Sequence, residues 1–240
     1  GEEYVNLFKE LQKIGVERID FMGKEPLYNS EIFAILKAVK LFCPEIKSTI
    51  ITNGLNIKKY IKELETYKPY IVLSVDSFEE LEVRPVNSHL VESIKLLVER
   101  EIPVQLSIDL HNKNYKDIDK IIEEGKKLGV KNFYIKTLMP IGENAKYTGS
   151  IELNKDQLIE FIESISNKDF GEDIKVLLDL DLDAYSLLKG TSIMSTIEDN
   201  YLDFGVERYN NLDVLVEWYC ARMSDYIYIT NDGYVLSCGM

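Results

Sequence analysis

The residues best suited to chemistry form a tetrad, Gly23-Lys24-Glu25-Pro26, placed directly after a short apolar run. A glycine lacks a Cβ and lets a ligand approach the backbone closely. A carboxylate such as Glu25 accepts hydrogen bonds from an ammonium group, and Pro26 favours an extended conformation for the residue before it. The tetrad therefore fits a turn that binds an amine. Without further context, a plain turn leading into a helix capped by Asn29 or Ser30 is the simpler interpretation.

Polar side chains also follow each of the next four apolar runs. They are Thr52-Asn53-Gly54, Ser74 with Asp76, Asp109 with His111, and Lys136 with Thr137. The carboxyl ends of parallel strands converge on one edge of a sheet or barrel, where ligands bind. One interpretation is a polar site for a small ligand at this edge. The other is that loops are polar wherever strands end, and the positions of these residues alone favour neither interpretation.

The elements that would position these residues alternate between strand and helix. The predicted strands are 18–22, 47–52, 70–75, 103–110, 131–138 and 174–180, and the predicted helices are 2–15, 30–42, 57–67, 88–100, 115–129 and 155–165. Such alternation predicts an α/β fold with a parallel sheet or barrel. Because most of the strands are rich in apolar residues, we expect them to be buried on both faces.

The alternation loosens after about residue 154. The stretch 192–211 is polar and shows no clear period, so it predicts no regular element. Residues 225–238 alternate in the manner of a hairpin with Asp232-Gly233 at its turn. The chain starts on a helical pattern and stops on a strand pattern, so we expect it to be a fragment of a longer protein.

The composition limits the class of partner. The chain carries 28 Lys and Arg against 41 Asp and Glu, a net charge of -13, which disfavours nucleic-acid binding. Nothing approaches the roughly 18 continuous apolar residues of a membrane span. We therefore expect a cytoplasmic protein that binds neither nucleic acid nor membrane.

The cysteines are few. Cys43, Cys220 and Cys238 in 240 residues do not make a disulfide scaffold and fit a reducing compartment. An iron–sulfur site needs about four ligands, so two thiols alone are more simply buried than metal-bound. Cys43, which precedes Pro44, is interpreted as structural.

Taken together, these motifs resemble the radical S-adenosylmethionine (SAM) superfamily, in particular its peptide- and protein-maturing branch with a SPASM extension. The resemblance is carried by Gly23-Lys24-Glu25-Pro26, Thr52-Asn53-Gly54, Ser74-Val75-Asp76, and the spacing of Cys220, Gly233 and Cys238. Arg84 and the loop containing Pro140, Gly142 and Ala145 also fit it.

The resemblance implies an open, partial TIM-like βα barrel whose first strand is absent. It further implies a barrel core at residues 1–150, a barrel continuation at 151–213, and the beginning of a SPASM region at 214–240.

The resemblance also implies which residues bind the cofactors. Gly23, Lys24, Glu25 and Pro26 correspond to the motif for the amino group of SAM, although Lys24 replaces a glycine. Ser74 is expected near the SAM ribose, with Asn53 and Asp76 in matching motifs. Cys220 and Cys238 would ligate an auxiliary iron–sulfur cluster.

The family's chemistry needs a Cys-x-x-x-Cys-x-x-Cys loop that holds a [4Fe–4S] cluster, and the 240 residues contain no such loop. In the family, an electron from this cluster cleaves SAM to a radical that abstracts hydrogen. The resemblance thus implies a loop upstream of Gly1 and an inactive isolated chain. It implies a peptide or protein substrate and a reductant such as flavodoxin or ferredoxin.

Two other functions are open on sequence alone. One is a catalytically dead relative that binds a peptide or partner. The other is an unrelated barrel aldolase or isomerase, for which Lys136 is the best candidate nucleophile. His111 and His89 are interpreted as surface or capping residues. The acidic stretch at Asp179, Asp181 and Asp183 lacks the glycine and the terminal glutamate of a calcium-binding loop, so we reject that function for it.

Overall fold

The structure is a computed structural model that describes residues 2–75, 89–138, 149–199, 206–216, 227–230 and 235–236. The helices are α1 (Glu2–Lys13), α2 (Ile32–Phe42), α3 (Ile61–Tyr67), α4 (Leu90–Glu99), α5 (Ile118–Lys127), α6 (Lys155–Ser166), α7 (Leu182–Leu188) and α8 (Ser192–Asp199), with a 3₁₀ helix at Pro26–Tyr28. The strands are β1 (Arg18–Phe21), β2 (Lys47–Thr52), β3 (Tyr70–Ser74), β4 (Val104–Leu110), β5 (Asn132–Thr137), β6 (Lys175–Leu180), β7 (Val206–Tyr209), β8 (Leu212–Val216), β9 (Tyr228–Ile229) and β10 (Val235–Leu236).

Eight strands hydrogen-bond in the order β1-β2-β3-β4-β5-β6-β8-β7. The pairs β1–β2, β2–β3, β3–β4 and β6–β8 are parallel, and only the terminal β7 is shown to run antiparallel to its neighbour. Within the described residues the order is linear, so the sheet is open. The predicted α/β class with an open parallel sheet is confirmed.

The predicted hairpin near the end of the chain is also present. β9 and β10 pair antiparallel, with Tyr228 opposite Leu236 and Ile229 opposite Val235. The Asp232-Gly233 turn itself lies outside the described residues. None of the helices in the described part of the chain has the length and apolarity of a membrane span.

The chain divides into two compact units. The first contains Gly1–Ile108 and Asp119–Phe133, and the second contains Asp109–Ile118 and Tyr134–Met240. Each unit has its own buried apolar side chains.

In the first unit, strands β2, β3 and β4 bury one face of the sheet. Ile50, Ile71, Leu73, Leu106 and Ile108 on this face are all fully buried. Neighbouring side chains along a strand point to opposite faces, and the alternate positions are mostly half-buried and include the polar residues Asp20, Thr49, Tyr70 and Gln105 beside Ile51 and Val72.

The expectation that the strands are buried on both faces is therefore wrong for this sheet. Its polar face requires hydrogen-bond partners that a dry apolar core would not supply. Tyr70 provides an example, because its hydroxyl donates to Gln105 Oε1 at 3.0 Å.

Cys43, the cysteine that lies within the described residues, belongs to the core of the first unit. Cys43 is fully buried and packs with Phe8, Val39 and Ile46. This agrees with its interpretation as a structural residue.

In the second unit, regular structure continues further than the sequence predicts. The expectation that 192–211 lacks regular elements is wrong, since α8 and β7 fall within it. In α8 only Ile193 and Met194 are shown to be buried, at 1% and 0% exposure. Its apolar residues, Ile193, Met194 and Ile197, have helical spacing but extend over little more than one turn within a polar stretch, which explains the missed element.

The start of α7 is fixed by Asp181. Its carboxylate accepts from the Ala184 N–H at 2.8 Å, and its own N–H donates to Thr137 Oγ1 at 3.0 Å. Burial raises the pKa of the Asp181 carboxyl above its ordinary value of 3.8, and hydrogen bonds donated to the carboxylate, first that of the Ala184 N–H, partly offset the rise.

A test of packing in the first unit is Gly125→Ala. A Cβ at this position in α5 would lie 2.7 Å from Phe133 Cε1 and 3.0 Å from Leu106 Cδ1. We expect overpacking to lower the free energy of unfolding by about 1–3 kcal/mol in urea, more than the roughly 0.5–1 kcal/mol gained from helix propensity. Lys127→Ala, on an exposed face of the same helix, should change it by no more than about 0.5 kcal/mol. A more stable Gly125→Ala variant would contradict this packing.

A test in the second unit is the pH dependence of Asp181→Asn. Since burial raises the Asp181 pKa, the folded state binds this proton more tightly than the unfolded chain. The resulting stability is fully present below pH 3.8 and is lost as the pH rises through the folded-state pKa. The wild type should therefore gain stability relative to Asp181→Asn on acidification from about pH 7 to about pH 3.5. Asp181→Ser, which keeps a capping oxygen without titrating, should give the same pH-dependent difference, and a pH-independent difference for both variants would refute this assignment.

Candidate functional site

The predicted tetrad forms an open loop at the carboxyl end of β1. Gly23 has φ +134°, which L side chains rarely adopt, and a Cβ built there would meet no atom within 4 Å. In the part of the chain that the structure describes, no hydrogen bond engages the backbone carbonyls of Gly23 or Lys24. The loop thus offers unengaged carbonyl oxygens beside free space.

Glu25 lies inside this loop rather than on its surface. It is only 8% exposed, with an extended backbone (φ -159°, ψ 102°) as expected before Pro26. Its Oε1 accepts from the Leu27 N–H at 3.0 Å and from Thr52 Oγ1 at 2.7 Å. Its Oε2 accepts from the Asn53 N–H at 2.8 Å. One carboxylate therefore caps the 3₁₀ helix and joins the loops that follow β1 and β2.

The second predicted motif is held by this contact. Thr52 is 2% exposed, and its Oγ1 also accepts from the Gly54 N–H at 3.1 Å. Asn53 contacts Glu25 through its backbone, while its Oδ1 accepts from the Leu55 N–H at 3.0 Å. The Thr52-Asn53-Gly54 turn thus presents N–H and O–H donors to the Glu25 side chain.

A residue that sequence reasoning missed completes this arrangement. Ser93, on α4, is 1% exposed and donates its hydroxyl to the Gly54 carbonyl at 3.0 Å. Leu90, Ile94 and Leu97 share its buried helix face. A hydroxyl at an apolar helix position is the only signal that could have revealed it.

The charge of the loop suits a cationic ligand. Glu25 forms no ion pair within the described residues, so its buried carboxylate is stabilised by three hydrogen-bond donors alone. An ammonium group bound at the Gly23 and Lys24 carbonyls would add a favourable charge interaction. These residues therefore fit the amine end of SAM.

The structure places the other predicted cofactor residues as follows. Ser74 ends β3, next to the strand that carries Thr52, and lies on the polar face of the sheet with Tyr70. Lys24 is exposed, and Pro26 begins the 3₁₀ helix. Asp76, Arg84, Pro140, Gly142, Ala145, Cys220 and Cys238 lie outside the described residues.

Lys136, the alternative nucleophile, is engaged by a carboxylate. Its Nζ lies 2.9 Å from Asp109 Oδ1, with the Asp109 side chain only 13% exposed. Tyr134, on the same face of β5, donates its hydroxyl to the Asp179 carboxylate. An ion-paired ammonium is not presented to a substrate carbonyl as a neutral nucleophile, which disfavours the aldolase interpretation.

The two histidines differ in environment. His111 is 3% exposed, and its Nδ1 accepts from the Lys113 N–H at 3.2 Å, so it shapes a turn within the second unit. The His89 side chain is 61% exposed. His111 therefore has the predicted capping role, and His89 has the predicted surface position.

The described residues contain no cluster of three or more His, Cys, Asp or Glu side chains suited to a metal ion. Asp179 and Asp181 are occupied by Tyr134 and by the start of α7. Cys43 is enclosed in the core and cannot reach a cluster. The described residues thus offer no ligand set for an iron–sulfur cluster. A three-cysteine cluster loop is also not among the 240 residues.

The contacts of Glu25 predict its contribution to stability. Glu25→Ala would leave the Thr52 hydroxyl and the Leu27 and Asn53 N–H groups without their acceptor, so we expect a loss of about 2–4 kcal/mol in the free energy of unfolding. Chemical denaturation followed by circular dichroism measures it. Glu31→Ala, an exposed carboxylate a few residues away, should cost no more than about 0.5 kcal/mol. Equal losses for the two variants would show that the Glu25 bonds contribute little.

Comparison with known proteins places the chain in a family. Residues 2–152 match the Radical SAM superfamily. GTP 3',8-cyclase of Clostridium perfringens (strain SM101 / Type A) is 26% identical over 169 residues, covering 67% of this chain and 51% of that protein. The chain thus spans about half the length of the curated relatives it matches.

Two solved structures share the fold. The structure of Streptococcus suis SuiB bound to precursor peptide SuiA has a TM-score of 0.72 at 16% identity, covering 99% of this chain and 52% of SuiB. Native anSMEcpe with bound AdoMet and Cp18Cys peptide has a TM-score of 0.57 at 18% identity, covering 69% of this chain and 50% of that one. The fold likeness agrees with the predicted partial barrel, and the family match extends over well over half of the residues. The chain belongs to the radical SAM superfamily.

Proposed function

We propose that this chain is the SAM-binding part of a radical SAM enzyme that modifies a peptide or protein. The observation that carries the proposal is the Gly23–Glu25 loop, where unengaged carbonyls, free space and a buried carboxylate come together. When bound, SAM and a [4Fe–4S] cluster supply the family's hydrogen-abstracting chemistry. The protein would act in the cytoplasm with a reductant such as flavodoxin or ferredoxin.

The residues of the chain would bind and orient the cofactor. The Gly23 and Lys24 carbonyls would accept from its ammonium group, and Glu25 would hold the loop and complement the positive charge. Ser74 would lie near the ribose, with Asn53 and Asp76 beside it, and Cys220 and Cys238 would ligate an auxiliary cluster. No acid or base of the chain is assigned to the chemical step.

The substrate is proposed to be a peptide rather than a nucleotide. The two structures reported above carry peptides, which favours this class. A net charge of -13 also repels a triphosphate and attracts a basic peptide. The curated relatives named GTP 3',8-cyclase make GTP the second candidate, and it is separable from the first by experiment.

The experiment is reductive cleavage of SAM. The protein, with the sequence that its gene encodes on either side of residues 1–240, is reconstituted anaerobically with iron and sulfide and given SAM and dithionite. We expect 5'-deoxyadenosine, which chromatography with mass detection measures, and none from the isolated chain because it has no cluster loop. Glu25→Ala should weaken SAM binding, with Glu31→Ala as its matched control.

Two results would reject parts of the proposal. A protein that binds no iron or forms no 5'-deoxyadenosine would be a binding module and not a radical enzyme. Turnover that rises with GTP and yields a modified nucleotide, but not with peptides from neighbouring genes, would replace the peptide substrate with GTP.

A further inference from the structure

A buried serine distant from the predicted motifs reaches the candidate site through a chain of hydrogen bonds. Ser93 Oγ donates to the Gly54 carbonyl at 3.0 Å. The Gly54 N–H donates to Thr52 Oγ1 at 3.1 Å, and Thr52 Oγ1 donates to Glu25 Oε1 at 2.7 Å. Both backbone polar groups of Gly54 are therefore bonded to hydroxyls, and its carbonyl accepts a second bond from the Ile57 N–H at 3.2 Å.

The position of Ser93 is unfavourable for a hydroxyl unless that bond is made. It is 1% exposed on the apolar face of α4, where an unsatisfied hydroxyl would be costly. Helix serines commonly donate to a carbonyl of their own preceding turn, but Ser93 donates to a loop 39 residues earlier in the chain. The hydroxyl thus fixes a loop rather than its own helix.

Gly54 needs such fixing because of its backbone conformation. Its φ is +82°, in the left-handed region that glycine enters freely. Thr52 is already paired with Leu73 in the sheet, so the part of the turn that Ser93 steadies is Asn53 and Gly54, whose N–H groups donate to Glu25 Oε2 and Thr52 Oγ1.

We propose that Ser93 and Thr52 are positioning residues that hold Glu25, and through it the Gly23 and Lys24 carbonyls, in the geometry that binds the cofactor's ammonium group. The proposal rests on the proposed function for the identity of the ligand. Both side chains are buried, at 1% and 2% exposure, so the proposal assigns neither of them a direct contact with the cofactor. Loss of either hydroxyl would loosen the Glu25 loop and leave the Gly23 and Lys24 carbonyls themselves in place.

The first measurement is amide hydrogen exchange of the full-length protein without cluster or SAM. In Ser93→Ala we expect the Leu27, Asn53 and Gly54 amides to exchange about tenfold faster, since local opening becomes easier. Leu27 is decisive, because its amide bonds to Glu25 and lies far from residue 93 in the sequence. The matched control is Ser166→Ala, a fully buried helix serine whose hydroxyl donates within its own helix, and it should leave these amides unchanged.

The second measurement is the dissociation constant for SAM in the reconstituted full-length protein, by anaerobic calorimetry. Ser93→Ala and Thr52→Val should each weaken SAM about tenfold, the lower end of the effect of removing a supporting partner. Thr52→Ser, which keeps the hydroxyl, should bind nearly as the wild type does. The double variant should be less than additive, because both residues act through one chain of bonds.

The outcomes separate this inference from the proposed function. Unchanged exchange at Leu27, or an unchanged SAM dissociation constant in a folded Ser93→Ala protein, would overturn it. If Ser93→Ala does not fold, the Thr52→Val and Thr52→Ser pair decides in the same way. If the wild type binds no SAM, the proposed function fails, and the exchange data still decide whether Ser93 holds the Glu25 loop.

Discussion

The buried carboxylate of Glu25 is the constraint on which the candidate site depends. A negative charge at 8% exposure is tolerated only where donors surround it, and here the donors come from the 3₁₀ helix, the end of β2 and the loop that follows β2. The carboxylate therefore fixes the loop after β1 against the end of β2. Glu25 acts in this structure as an acceptor that joins the two segments, and any effect of its charge on a ligand belongs to the proposed function.

The same requirement for partners explains the two faces of the sheet. In the first unit the apolar face is buried over β2, β3 and β4, whereas the opposite face carries polar pairs such as Tyr70 with Gln105. A packed interior needs no such pairs. A sheet that keeps them half-exposed presents polar groups to a ligand or to solvent on that face, which suits an open barrel better than a doubly covered sheet.

Much of this architecture could be read from the sequence, because βα alternation and strand-end motifs are local patterns. The Gly23–Pro26 turn and the Thr52–Gly54 turn were predicted as separate ligand contacts. Their direct connection through one side chain was not, since it spans 27 residues. Ser93 gave no signal beyond a polar residue on an apolar helix face. α8 was missed because its apolar residues, Ile193, Met194 and Ile197, extend over little more than one turn of a polar stretch.

The strand order has a consequence for how the chain acquires its structure. β1, β2, β3 and β4 are neighbours in space in the order in which they are synthesised. Each strand that leaves the ribosome therefore finds its partner already present, and loop closure involves only the segment between consecutive strands. Pairing with the next strand in the chain keeps the sequence separation of the contacts smaller than pairing with a more distant strand would, and a smaller separation favours faster folding. Glu25 gains Thr52 as soon as the second strand arrives, so the ligand loop is set early in synthesis and the Ser93 bond from α4 secures it later.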